Sequence, residues 1–211
     1  MYRSAHDLKG PVSRLLGLCY LGNIDEGKVN LQEYLNKLEN TTKEMENMLA
    51  RLIRVSEIKS HSVVNTEIDI ESLTKKIIDQ IVPKDVQFID FYSLNEKHIV
   101  SDVFLISTLF ESLIQNALDF RNTTKLKHNL LISFEKGVDK EIIRFSNNGI
   151  KIDLKFKEQI FEMFFKGTEQ SNGVGLGLYI AQIIVVRKLK GKIYLNTENT
   201  ENTEFVIELP I

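Results

Sequence analysis

Three glycines stand in the run Gly173-Val174-Gly175-Leu176-Gly177-Leu178, just ahead of a helical pattern, where backbone N–H groups can approach a phosphate closely. Near the other end, Ser4-Ala5-His6-Asp7-Leu8-Lys9-Gly10-Pro11 offers an imidazole as a candidate phosphate acceptor. A chain with both a phosphate-cradling loop and an acceptor has the parts of a phosphotransferase. Between them, Asn116 lies in an apolar helical stretch beside Ile114, Ala117 and Leu118. A buried amide there must find partners or lose ~1–3 kcal/mol. A hydrated Mg²⁺ bridging phosphates would be such a partner. Asn147-Asn148-Gly149 follows an extended stretch and reads as a turn.

Other phosphate motifs fit less well. A dinucleotide-binding unit puts its glycines after a first strand, with an acidic residue ~20 positions later, whereas these glycines come near the C-terminus. No Gly-Lys-Ser or Gly-Lys-Thr occurs, so the lysine-bearing P-loop is excluded. With 211 residues, 43% hydrophobic and 27% charged, the chain can bury the core of one domain plus a smaller element. Twenty-seven basic residues against twenty-nine acidic ones, without a concentrated basic run, give nucleic-acid binding no electrostatic footing. No apolar stretch reaches the ~18 to 20 residues that cross a bilayer, and no leader-like start is present. Direct membrane insertion is therefore not expected, and a cytoplasmic setting is. The lone Cys19 excludes an internal disulfide, and its apolar helical stretch predicts a buried side chain.

Periodicity supplies the elements that must position these residues. Leu8, Val12, Leu15, Leu16, Leu18 and Cys19 recur at helical spacing over 2–21, with Gly22-Asn23 as a stop. A second stripe from Leu31 through Met45 to Ile58 predicts a longer helix over about 30–58. Two such helices make an antiparallel hairpin that cannot bury both apolar faces, which predicts a homodimer through a four-helix bundle. Residues 61–66 read as a linker between this hairpin, 1–60, and a second domain, 67–211. There we expect helices over 70–81, 103–120 and 176–190 and a short helical patch over 155–165. Strands are expected over 86–91, 98–101, 192–195 and 204–209, with a β-hairpin formed by 129–134 and 141–145. The fold class is α+β: an N-terminal antiparallel helical hairpin followed by an α/β sandwich, a mixed sheet covered on one face by three helices.

Leu113-Ile114-Gln115-Asn116-Ala117-Leu118-Asp119-Phe120, Asn147-Asn148-Gly149-Ile150, Phe161-Glu162-Met163-Phe164-Phe165-Lys166-Gly167 and Gly173 to Leu178 fall in the order and spacing of the N, G1, F and G2 boxes. In this the chain resembles the catalytic domain of sensor histidine kinases, and His6-Asp7-Leu8-Lys9-Gly10-Pro11 is similar to that family's H box. The resemblance implies ATP and Mg²⁺ as cofactors and autophosphorylation of a histidine, followed by relay to an aspartate of a response-regulator receiver domain. It makes His6 the phosphoacceptor, Asp7 the acid that takes the ring's other proton, and Asn116 the Mg²⁺ residue. It makes Asn147 the adenine-recognising position. Gly149, Lys166, Gly173, Gly175, Gly177 and Leu178 fall at further nucleotide-binding positions, and 150–172 matches the ATP lid. His61, His98 and His128 lack such settings and read as linker or surface residues.

The pattern also departs from the family's. Asn147 replaces an aspartate and accepts as a neutral group, which weakens adenine binding. Lys151 replaces a glycine of the G1 box, and Asp119 stands where a basic residue often holds phosphate, leaving Arg121 or Lys125 to compensate. Gly10 stands where Thr or Asn often supports phosphatase activity. These departures motivate an alternative, a nucleotide-binding, catalytically weak partner-binding module. A hydrolytic relative of the gyrase or chaperone type is disfavoured, because Ser112 occupies the position of its water-activating glutamate and Glu111 lies on another helix face. The start five residues before His6 implies a catalytic fragment of a longer sensor.

Overall fold

The computed structural model describes residues 2–24, 30–84, 88–94, 98–122, 127–167, 174–198 and 201–211, with backbone only for 2–8, 23–24 and 88–94. The chain divides into two compact units, 1–57 and 58–211.

In the first unit, helix α1 (Tyr2–Ile24) runs antiparallel to α2 (Leu31–Ser60). The Tyr34 hydroxyl donates to the Leu18 carbonyl at 2.5 Å, and Arg14 pairs with Glu44 at 3.1 Å. The glycine at 22 does not stop α1, which continues to Ile24. Pro11 lies inside α1 and cannot donate to the Asp7 carbonyl, so one helical bond is missing beside the His6-Asp7 pair. Cys19 is exposed, contrary to the expectation of burial. Two helices can cover only a stripe of one another, and Leu15 and Leu18 take that stripe while Cys19 faces away. For the same reason Leu16, Tyr20, Leu21, Leu31, Leu35, Leu49 and Ile53 stay exposed.

The second unit opens with β1 (Thr66–Asp69), then α3 (Ile70–Ile81), β2 (Phe88–Leu94), β3 (His98–Ser101) and α4 (Val103–Asp119). Strands β4 (His128–Lys136) and β5 (Lys140–Asn147) form the expected hairpin. After two short 3₁₀ turns, Leu154–Phe156 and Gln159–Phe161, come α5 (Gly177–Gln182), a π-helical turn (Ile183–Lys188), β6 (Lys192–Leu195) and β7 (Thr203–Pro210). The main sheet has the order β2-β4-β5-β7-β6, and it is mixed because β2 pairs with β4 in parallel. β1 and β3 form a separate antiparallel pair. β1 escapes sequence reading because its four residues bury only Ile68, too little for an alternating pattern.

Alternation along the strands sets the inner face. Leu130, Ile132 and Phe134 of β4 stand opposite Asn147, Phe145 and Ile143 of β5, which in turn face Thr203, Phe205 and Ile207 of β7. Against this layer α4 buries Leu105, Ile106, Leu109, Phe110, Leu113, Ile114, Ala117 and Leu118. Phe110 meets Phe145 edge-on at 5.0 Å. Each of the buried Leu, Ile and Phe side chains contributes about 1.5–3 kcal/mol. The fold is thus the sandwich expected from the sequence.

Both major helices of this unit start on an aspartate. Asp69 accepts from the Ser72 N–H (3.0 Å) at the head of α3, and Asp102 from the Leu105 N–H (3.0 Å) at the head of α4. Asp102 is also bonded by the Val64 N–H (2.7 Å) and His61 Nε2 (2.8 Å). Burial pushes its pKa up, but these three bonds outweigh burial and hold the carboxyl below the ordinary aspartate range. A depressed folded-state pKa means stability that is present above the unfolded value, about 3.9, and is lost as pH falls through the folded value. Asp102→Asn should therefore lower unfolding stability by about 1–3 kcal/mol at pH 7. The deficit should shrink in acid, below the folded-state pKa, when urea titrations of the two proteins are compared.

Candidate functional site

Asn116 lies on α4 in a stripe with Ser112 and Phe120, four residues apart along the helix. It is half-buried beside fully buried Ile114. Its side-chain amide makes no hydrogen bond to any described residue. At the foot of the same stripe, the Phe120 carbonyl accepts from the Ile150 N–H at 2.7 Å. Gly149 sits so close to that carbonyl that a Cβ would collide with the Phe120 oxygen. The turn after β5 is thereby clamped onto the end of α4.

Asn147 enters this turn from the inner face of the sheet, only 6% exposed. Its amide is oriented so that the oxygen accepts from the Gly149 N–H (3.1 Å) and the nitrogen donates to the Thr203 carbonyl (3.3 Å). Thr203 Oγ1 donates to the Ile150 carbonyl at 3.3 Å. From the other flank, Asn148 Oδ1 accepts from the Asn129 N–H (2.9 Å) and its Nδ2 donates to the Lys127 carbonyl (3.1 Å). Sequence reasoning missed Thr203 and Asn148, because their roles follow from strand register rather than from local composition.

The glycine-rich run meets the F-box segment. The Phe164 N–H donates to the Gly175 carbonyl at 2.9 Å, and both residues have positive φ, 65° and 73°. A Cβ on Gly175 would come within 2.7 Å of the Phe165 oxygen. Leu176, fully buried, then starts α5, which packs against α4. No side chain caps this start, so the N–H groups of Gly177, Leu178 and Tyr179 have no acceptor within the helix. Lys166 is exposed beside the F box.

Arg121 Nη1 donates to the Leu118 carbonyl (3.1 Å), and Asp119 accepts from Gln115 (2.7 Å) on the exposed side of α4. His6 and Asp7 lie in the first turns of α1, with their side chains outside the described atoms. Gly173, the end of the lid segment at 168–172, and Lys125 fall outside the described residues. Among the described residues no cluster of three or more His, Cys, Asp or Glu could hold a metal ion. The open Asn116 side-chain oxygen is a donor that a Mg²⁺ could use. The donor set fits an adenine nucleotide with Mg²⁺: an open amide, uncapped backbone N–H groups, and a glycine cradle that a Cβ would fill.

The family model for histidine kinase-, DNA gyrase B-, and HSP90-like ATPases matches residues 101–211. The chain belongs to this family. The heme sensor protein HssS of Staphylococcus aureus (strain JH9) is 24% identical over 210 residues, which cover 98% of this chain and 45% of HssS. The chain thus spans a little under half the length of the curated relatives it matches. The structure of Acinetobacter baumannii histidine kinase AdeS covers 97% of both chains at 19% identity, with a TM-score of 0.75. Histidine kinase ThkA, solved in complex with response regulator protein TrrA, matches 99% of this chain and 60% of its own at 20% identity, with a TM-score of 0.72. These structures share the fold of a histidine kinase catalytic core. Among the described residues no helix is long and apolar enough to cross a membrane.

Gly175 tests the cradle directly. Gly175→Ala forces a side chain into a positive-φ position and against the Phe164-Phe165 backbone, so it should cost about 1–3 kcal/mol in thermal or urea unfolding.

Proposed function

We propose that this chain is the core of a two-component sensor kinase: it phosphorylates its own His6 from ATP and passes the phosphoryl group to an aspartate on a response-regulator receiver domain. The observation that most supports this reading is the clamp that joins Asn116, Phe120, Gly149 and Asn147 into one face of the ATPase-family domain. Bound ATP supplies the transferable phosphoryl group, and Mg²⁺ offsets the charge on its phosphates. Asn116 would hold that ion through its side-chain oxygen, Asn147 would meet the base, and the glycine loop with the first turn of α5 would receive the phosphates. Gly149 lets the turn approach, and Lys166 and Leu178 flank the site.

At the acceptor, one ring nitrogen of His6 attacks the γ-phosphorus while Asp7 takes the proton from the other nitrogen. An N–P bond forms, the bond from phosphorus to the β–γ bridging oxygen breaks, and ADP leaves. Catalysis then rests on positioning and on charge neutralisation rather than on further covalent chemistry by the protein. The exposed leucine stripe of the hairpin supports a homodimer, since apolar surface of that extent calls for a partner. ThkA's complex with TrrA supports a receiver-domain partner. We place the chain in the cytoplasm, as part of a longer sensor.

The test supplies γ-labelled ATP and Mg²⁺ and follows acid-labile label on the chain. The parent should be labelled, while His6→Gln should carry at most a few per cent of that label; equal labelling removes His6 from the mechanism. Saturable ADP binding with no label on the parent would instead favour the weak nucleotide-binding module.

A second prediction concerns Asn147. Asp at this position gains a charged acceptor for the base but loses the donation to the Thr203 carbonyl. Without nucleotide, Asn147→Asp should be less stable by about 1–3 kcal/mol. Its affinity for ADP with Mg²⁺, by calorimetry, should rise several-fold.

A further inference from the structure

Residues 61–65 form neither helix nor strand, yet they are fastened to the catalytic unit from two sides. On one side, buried Asp102 receives His61 Nε2 (2.8 Å) and the Val64 N–H (2.7 Å), and the His61 ring lies 4.7 Å from the Phe104 ring. On the other, Lys188 Nζ donates to the carbonyls of Lys59 (2.7 Å) and His61 (2.8 Å). Lys188 ends the π-helical turn, an irregularity that recurs at functional positions. Ile58, at the start of this strap, is fully buried, and the division between the two units falls just before it. Val63, Asn65, Val100, Glu141, Lys188 and Leu209 line a cleft of about 220 Å³ beside the strap. The Asp102 and Lys188 bonds thus hold the strap on two sides.

We propose that His61 and Lys188 are positioning residues for the phosphoryl transfer. They dock 58–65, the chain leaving α2, onto the catalytic unit. Without them the catalytic unit would hang on a slack tether, and the fraction of time it spends oriented toward His6 would fall. The proposal rests on the kinase reading above and assigns a role in the transfer step, not in nucleotide binding.

The experiment uses the whole chain with Lys188→Met, His61→Ala and the conservative Lys188→Arg, each checked for a near-parental unfolding midpoint. Hydrogen exchange should quicken at the Val64 amide in Lys188→Met and His61→Ala. Single-turnover labelling of His6 at saturating ATP should slow at least about five-fold in both, while the Kd for ADP with Mg²⁺ stays within about two-fold. Lys188→Arg, which keeps donors for both carbonyls, should label at close to the parental rate. Faster exchange with unchanged or faster labelling overturns the positioning role, as does a Val64 amide that exchanges in the parent like an unstructured peptide. A parent that carries no label overturns the kinase reading and the positioning role together, and a persistently protected Val64 amide identifies that failure.

Discussion

The bond from the Ile150 N–H to the Phe120 carbonyl joins the end of α4 to the turn after β5, and the functional site depends on it. Phe120 and Arg121 satisfy the last carbonyls of α4 itself, and the Phe120 carbonyl beyond them is taken by the turn that carries Asn147. The approach requires a residue without a side chain at 149, since a Cβ there would strike the same carbonyl. One local constraint thus fixes the distance between the helix bearing Asn116 and the strand bearing Asn147. The rest of the sandwich, from the α4 core to the β5 and β7 register, serves to keep that junction rigid.

The helical hairpin, the order of elements and the layer arrangement were legible because they rest on long periodic stretches. The stripe from Leu31 to Ile58 and the apolar run of α4 leave little choice of structure. What was not legible depended on pairing or on special backbone geometry. β1 has one buried residue, and its partner lies about thirty positions away at β3. Thr203 has no local signature, and only its register opposite Asn147 makes it the acceptor for that amide. The π-helical turn at 183–188 has the same apolar content as an α-helix, so periodicity cannot distinguish them. Composition gave Cys19 an apolar setting, but the hairpin's geometry decided which face was covered.

His61 shows how a residue with no motif acquires a role. In sequence it stands in a polar stretch and reads as a surface histidine. In the fold, strand β3 delivers Asp102 to the head of α4, where one carboxylate both caps that helix and receives the strap. Both tasks draw on the same buried charge, so α4, which carries Asn116 at its other end, and the segment leading out of α2 share one anchor. The segment that follows α2 is thereby tied to the first turn of α4. No contact with nucleotide is needed for a residue such as Lys188 to matter.

Asn147 is neutral, and its amide suits the two backbone groups that face it. A carboxylate at this position would only accept, and opposite the Thr203 carbonyl it would face a second acceptor across a short gap. The amide resolves that conflict by donating on one side and accepting on the other, and it cannot flip without setting its oxygen against the Thr203 oxygen and its nitrogen against the Gly149 N–H. Its orientation is therefore set by the backbone of Gly149 and Thr203. The turn that carries Asn147 keeps its shape through bonds to β4, β7 and the end of α4 at once.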